Sequence, residues 1–387
     1  MMLPNGWKKV KLGDVIKSLD AGVSVNSVDE PASKNSIGVL KTSCVSSGSF
    51  NPKENKAVVS ADIDRVSVSV KADRIILSRM NSPSLVGANA YIASDFSNLY
   101  LPDRLWQLEP YPNKVNMRWL SYVLGRQETK NRFLNMATGT SNSMKNITKE
   151  DVLNLNISLP PIEEQKKIAA TLSVWDSAIE KMEKLIEAKE SQKKSLIKKL
   201  IEKQEEKANK IKVGNVTIDK NKWKHERIGN VLKIGHGRDY KGLSLGNVPV
   251  FGSGGYMTSV DNFLHDGETV CVGRKGTIDK PFYYKGKIWT VDTLFYTYDF
   301  KNVIPKFIYY VFCSIPWKIK NEAGGVPSLT SKIVENVEFY SPSLPEQQII
   351  VDVLSDADDE LSLLKQQLEN YKKQKQGLMQ KLLTGQW

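Results

Sequence analysis

The chain has 387 residues, 40% of them hydrophobic and 25% charged, enough for two or three domains with real buried cores. Lys and Arg number 55 against 43 Asp and Glu, and the formal charge of +12 points to a polyanionic partner, nucleic acid ahead of an anionic membrane surface. No apolar run approaches the ~20 residues of a membrane helix, Met1 to Lys11 lacks the apolar stretch of a signal peptide, and Cys44, Cys271 and Cys313 give neither a disulfide framework nor zinc spacing, so a cytoplasmic protein without a membrane partner is expected.

The first recognisable segment is Trp7-Lys8-x-Val10-x-Leu12-Gly13-Asp14-Val15. Short strand-like runs such as Arg74-Ile75-Ile76-Leu77 follow, separated by Gly, Ser, Asn and Pro turns. Two of these runs lead into polar segments, Leu40-Lys41-Thr42-Ser43 and Ser78-Arg79-Met80-Asn81-Ser82-Pro83-Ser84. A helix of about a dozen residues is predicted near 116–135. A third polar set, Thr138 to Lys145, contains Gly139, Ser141, Asn142 and Lys145, and Thr148 after it suits a helix cap.

Pro160-Pro161 and Glu163-Glu164 then mark a helix N-terminus, where a missing N–H costs nothing and acidic side chains favour the dipole. From Ile168 an apolar ladder steps by four and three through Leu172, Trp175, Ile179, Met182 and Ile186, then Lys189 and Lys193, then Leu196 and Leu200. That is a heptad seam on a helix from Glu163 to about Lys203, on the order of 60 Å long at ~1.5 Å per residue. The segment Glu202 to Asn221 is predicted as a linker.

Beyond it the chain repeats itself. Adding 182 to the ladder gives Ile350, Leu354, Ala357, Leu361, Leu364, Leu368, Tyr371, Lys375, Leu378 and Leu382, opened by Pro345-Glu346. Upstream the offset grows: Trp119-Leu120-Ser121-Tyr122-Val123 answers Phe307 to Val311 at 188, Asp103 answers Asp292 at 189, Arg79 answers Arg274 at 195, and Trp7-Lys8 answers Trp223-Lys224 at 216. The second copy is a shortened first, with a strand at Thr269-Val270-Cys271-Val272 and a helix near 305–322. The predicted class is α+β with a mostly antiparallel sheet: a globular unit over 1–160, a long helix over 161–208, a linker over 209–222, a second unit over 223–343 and a second helix over 344–387.

Helices this long need a partner, and matching seams are best satisfied by packing the two on each other. An antiparallel pair gives the repeat a pseudo-two-fold axis and puts the units at opposite ends. Lys189, Lys193 and Lys375 interrupt the seams with charge; a solvated or frayed stretch is the expectation, a register device or partner contact the sharper alternative. Leu185, Ile197, Ile201 and Leu363 lie off the main seam and are expected to form a docking face.

Catalytic motifs are absent from the sequence. There is no Gly-x-x-x-x-Gly-Lys-Ser/Thr loop. Phe251-Gly252-Ser253-Gly254-Gly255 superficially resembles an S-adenosylmethionine loop, but Ser253 stands where its first glycine is needed, so a glycine turn is the better reading. Pro102-Asp103 with Glu128-Thr129-Lys130 imitates a nuclease cluster, yet Asp292 in the second copy has neither the proline nor the triplet. His225, His236 and His265 all fall in the second copy, so they cannot be chemistry common to both. No catalysis, cofactor or metal is expected in this chain.

Reading bases needs donors and acceptors at base edges with cations on phosphates, and both copies carry that mixture on loops. The candidates in the first are Lys41, Thr42, Ser43, Arg79, Asn81, Ser82, Ser141, Asn142 and Lys145. Those in the second are His236, Arg238, Tyr240, Lys241, Arg274, Lys275, Thr277, Ser328 and Lys332. Arg79 and Arg274, equivalent and each at a strand end, are the leading pair, the alternative being arginines tied to Asp103 or Asp292. Thr148 and Thr330 are read as helix caps.

These residues carry a resemblance. The opening segment at Trp7, its echo from Trp223 to Val231, Leu159-Pro160-Pro161-x-Glu163-Glu164-Gln165-x-x-Ile168 and Leu344-Pro345-Glu346-Gln347-Gln348-Ile349-Ile350 together resemble the DNA specificity subunit of type I restriction-modification systems, over essentially the whole chain. The departures are the single proline of the second helix and Ala357 in place of Trp175. The resemblance implies two target recognition domains, each reading one half of a bipartite asymmetric site in double-stranded DNA, with the helices as a fixed spacer. It also implies two modification subunits that methylate adenine with S-adenosylmethionine and two restriction (motor-nuclease) subunits that use ATP and Mg²⁺, those cofactors belonging to the partners. The alternatives are a protein-interaction scaffold, the specificity subunit of a stand-alone methyltransferase, and a fused enzyme.

Overall fold

A computed structural model describes residues 3–139, 144–203, 209–214, 216–321 and 323–386. The chain divides into two compact units, Met1–Lys181 with Leu368–Trp387, and Met182–Gln367, so each holds one globular part and a portion of both long helices.

In the first unit an antiparallel sheet runs in the order 16–21, 105–110, 74–78, 89–92. A five-stranded sheet follows the order 27–28, 55–58, 38–40, 96–100, 69–70, with one parallel pair between 38–40 and 96–100. Strand 74–78 shows why its apolar run is unbroken. Ile75 and Leu77 enter the core with Trp119, Leu120 and Phe133, whereas Ile76 enters a second core with Cys44 and Val45.

In the second unit one six-stranded sheet runs 233–236, 294–298, 265–273, 282–290, 245–252, 255–260, with a single parallel pair between 245–252 and 282–290. Phe251 to Gly255 is the end of one strand, a two-residue turn and the start of the next, as the glycine-turn reading expects. Each unit also pairs its opening strand with the one before its long helix, 8–11 with 156–159 and 224–227 with 338–341.

Two sequence expectations need correction. The helix near 116–135 is two helices, Met117–Gly125 and Gln127–Met136, because Arg126 is extended (φ −63°, ψ 144°), and the Val123 carbonyl at the break accepts from both Arg126 N–H at 3.4 Å and Thr129 Oγ1 at 2.8 Å. Its counterpart stops at Ser314, since Pro316 forces Ile315 out of the helical region, and resumes as a turn over Trp317–Lys320. The 209–222 segment, expected as a linker, contains a hairpin of Lys210–Val213 with Val216–Asp219. Ile211, Val213 and Ile218 alternate with polar neighbours there, and Ile218 joins the second core.

Lys220, just after that hairpin, is buried and donates to the carbonyls of Lys199, at 2.7 Å, and Glu202 at the end of the first long helix. Burial pulls its amine down to about 8. Lys220→Met should therefore cost the second unit about 1–3 kcal/mol, since two helix-end carbonyls lose their donor. It should also remove a pH dependence: a folded-state value below the unfolded one makes stability rise with pH above about 8 until the unfolded lysine also loses its proton. Urea titrations of both proteins from pH 7 to 10 check this; equal midpoints and equal slopes with pH would contradict it.

The long helices are Ile162–Ile201 and Leu344–Leu382, of 40 and 39 residues. In the first unit Ile168, Ala169 and Leu172 share a core with Leu378, Met379 and Leu382, so the start of one helix lies along the end of the other. Trp175 meets Tyr371 edge-on, with centroids 6.0 Å apart. In the second unit Lys189 pairs with Glu360 at 2.6 Å, and further along Lys193 pairs with Asp358, again antiparallel.

The lysines are therefore not a frayed stretch. Lys375 pairs with Asp176 within the first unit and Lys193 with Asp358 within the second, contacts related by the 182-residue repeat on both sides. Each carboxylate also accepts a tyrosine hydroxyl, Tyr122 on Asp176 and Tyr310 on Asp358, and Asp176 takes the Arg118 guanidinium at 2.9 Å. A charge on the seam is tolerated because a carboxylate of the other helix faces it. The off-seam residues divide: Leu185 and Leu363 are exposed, but Ile197 and Ile201 lie in the second core, where the last turns of the first helix cover that unit.

Candidate nucleic-acid interface

Each unit centres its polar loops on the arginine that ends a strand, and both do so with the same hydrogen bonds. Arg79 N–H donates to the Arg104 carbonyl at 3.1 Å and Arg274 N–H to that of Thr293 at 2.8 Å. The Arg79 carbonyl accepts from Ile147 N–H at 3.0 Å, the Arg274 carbonyl from Leu329 N–H at 2.8 Å. The side chains match as well: Arg79 Nε donates to the Asp103 carbonyl at 2.6 Å and Arg274 Nη1 to the Asp292 carbonyl at 3.3 Å. The guanidinium of Arg79 also lies 3.7 Å from the Asp103 carboxylate and 5.9 Å over the Trp106 ring. Both arginines are thus positioned through the aspartates named as the alternative, by backbone carbonyls more than by carboxylates.

In the first unit Asn81 pairs with Lys145 across a short ladder, so Arg79, Asn81, Ser82 and Lys145 come together. Asn81 Nδ2 donates to Ser78 Oγ at 3.2 Å and Lys145 Nζ to the Gly139 carbonyl at 2.9 Å. Ser141 and Asn142 lie outside the described residues. Lys41, Thr42 and Ser43 are a separate group on a turn against strand 74–78. Lys41 pairs with Asp29 at 3.3 Å and Ser43 Oγ donates to Glu54 at 2.6 Å. Lys56 and Lys41 hold the Asp29 carboxyl below its usual range. A phosphate reaching this group would have to displace those carboxylates.

In the second unit more of the candidates converge. Lys275 bridges to Ser328, Gly276 N–H donates to the Pro327 carbonyl at 2.8 Å, and Gly276 has a φ of +83° that favours glycine. The turn through Thr277 is tight, as a side chain at Gly273 would meet the Thr277 carbonyl at 2.1 Å. His236 is paired with Phe295 and stacks edge-on against it at 5.1 Å, and the next strand over carries Val272 and Gly273 towards Arg274. Arg238 is fixed through its backbone to Thr290 and Trp289. Tyr240 packs beside Val248 and Trp289, leaving Lys241 on the turn it begins. Lys332 is exposed on the short helix after Thr330. Thr148 and Thr330 both cap, accepting from Asp151 N–H and Ile333 N–H.

Sequence reasoning missed Thr293 and the hairpin tip at Ser253. Thr293 supplies the carbonyl that holds Arg274 and Lys275, and its Oγ1 accepts from Ser253 N–H at 3.3 Å, which brings the tip beside the basic turn. The available signal was the Gly-Ser-Gly-Gly turn between two alternating runs. Among the described residues no cluster of three His, Cys, Asp or Glu is arranged to hold a metal, and no helix is long and apolar enough to cross a membrane. Burial pushes the Cys44 thiol up to about 12 and raises Cys271 as well, so neither is a thiolate at neutral pH.

Against known proteins, the family model of the type I restriction modification DNA specificity domain matches residues 4–190 and 198–372. The specificity subunit of the type I restriction enzyme EcoEI of Escherichia coli is 28% identical over 44% of this chain, which spans 29% of that subunit. The type I restriction enzyme MjaVIII specificity subunit of Methanocaldococcus jannaschii is 22% identical over 100% of this chain and 94% of its own length. A crystal structure of the S subunit of a type I restriction-modification system from M. genitalium shares the fold with a TM-score of 0.63 at 18% identity, over 99% of this chain and 98% of that one.

Proposed function

The chain belongs to the type I restriction modification DNA specificity family, and from that premise we propose that each unit reads one half of a bipartite, asymmetric site in double-stranded DNA while the long helices set the gap between the halves. The observation that carries this is the arginine constellation repeated in both units: two equivalent strand ends, each fixed by the same backbone bonds and flanked by lysine, serine and asparagine or threonine. Duplicated reading heads suit two half-sites, and unequal loop lengths around a shared frame suit two different sequences.

The 40-residue helix supports the spacer role, because about 60 Å of continuous rod exceeds what any domain core requires. Half-sites read from one face of B-DNA lie about one turn apart, ~34 Å between centres. In this reading the chain catalyses nothing. Two modification subunits dock along the helices and methylate adenine with S-adenosylmethionine, and two motor-nuclease subunits join them with ATP and Mg²⁺. The exposed Leu185 and Leu363 support a docking role for the helix faces.

Salt dependence tests the DNA reading. The affinity of the chain for its site should fall log-linearly with salt, by about 10³-fold or more between 50 and 200 mM if six or more phosphates are contacted, and should exceed that for unrelated competitor DNA. A flat salt response without sequence preference would instead favour a protein-interaction scaffold.

A further inference from the structure

The hairpin of Leu245–Gly252 with Gly255–Val260 exposes two consecutive apolar side chains at its tip, Tyr256 at 63% and Met257 at 51%. A regular strand would turn one of them inward. Here the pairing register shifts between Val250 and Phe251, a bulge that alters which face the following pairs present. Phe251 pairs with Tyr256 and meets its ring edge-on at 6.0 Å, while the Tyr256 hydroxyl reaches Ser259 Oγ at 3.1 Å, so the phenol is braced without being buried.

The tip adjoins the basic turn. A side chain at Gly252 would meet Met257 Sδ at 3.1 Å and Thr293 Oγ1 at 3.5 Å, and the Thr293 carbonyl holds the backbone of both Arg274 and Lys275. Ser253 Oγ lies 3.3 Å from where a Gly276 side chain would begin. Exposed, braced apolar groups beside fixed cations match the surface of a DNA groove, where phosphates flank base edges whose apolar feature is the thymine methyl.

We propose that Tyr256 and Met257 are specificity-determining residues of the second unit: they contact a thymine methyl in its half-site while Arg274 and Lys275 hold the adjoining phosphates. This rests on the DNA-binding reading above and adds the A·T base pair as what the hairpin selects.

The test uses the full chain with its modification partner and DNA selected from a random pool by the wild-type complex. Replacing thymine by deoxyuridine at each position in turn removes only the methyl group. Wild type should lose about 4-fold in affinity, the worth of one buried methyl group, at one or two positions of one half-site. The Y256A/M257A variant, at exposed positions and with its fold checked by circular dichroism, should be insensitive to that replacement and should accept other base pairs there. Lys275→Gln should weaken binding to all sequences alike and lower the salt slope by about 1. If Y256A/M257A keeps the wild-type preference and deoxyuridine sensitivity, or wild type has none, the hairpin assignment falls while the DNA reading stands. If wild type selects no sequence at all, both fall.

Discussion

Asp176→Ala should destabilise the first unit by about 2–4 kcal/mol, and Asp358→Ala the second by a similar amount. Asp176 accepts from Arg118, Tyr122 and Lys375, so its removal leaves two cations without their carboxylate, largely withdrawn from water, and leaves the Tyr122 hydroxyl with only Ser173 and Arg118 as partners. The carboxylate is 26% exposed and its lysine 20%, which keeps the expected loss below that of a fully buried pair. Asp358 serves Lys193 and Tyr310 in the same way.

A double-mutant cycle separates the ion pair from packing. Lys375→Met in the Asp176→Ala background should recover part of the loss, because a stranded ammonium is replaced by an apolar side chain on an apolar seam. Urea unfolding followed by tryptophan fluorescence measures each step. Losses below about 0.5 kcal/mol, the ordinary range of surface substitutions, would show that the pairs do not fix the helix register.

The duplication was legible in the sequence because it is written in packing residues. Ladder positions 182 apart must fill equivalent cores, and Gln165 and Gln347 must hold equivalent backbone groups, donating to the Pro160 and Pro342 carbonyls and accepting from Asn116 and Ile304 N–H. Such roles tolerate few side chains. The seam lysines were misjudged because the heptad pattern scores each helix alone, whereas Asp176 and Asp358, which neutralise them, sit on the partner helix. The hairpin at 210–219 was hidden by its lysines, which read as linker although every second residue is apolar.

The candidate interface was legible only in part. Arg79 and Arg274 stood out through their repeat position, but the groups that fix them, Arg104 and Thr293, are distant in sequence and act through carbonyls that any residue carries. Tyr256 and Met257 gave no signal because exposure, unlike burial, imposes no periodicity. Lys41 and Ser43 fitted a phosphate site by composition, yet Asp29 and Glu54 already occupy them.

The second large effect concerns the length of the helices. Deleting the repeat-equivalent heptads 182–188 and 364–370 removes two turns from each helix, which preserves the seam and shortens each rod by about 10 Å. At ~3.4 Å per base pair that is roughly three base pairs. The half-sites should be unchanged, since the loops around Arg79 and Arg274 are untouched. The decisive measurement is selection of bound DNA from a random pool by the wild-type and doubly shortened chains, each with its modification partner. The same two half-sites separated by a gap shorter by about three base pairs is the predicted result; the same half-sites at the original gap would contradict it.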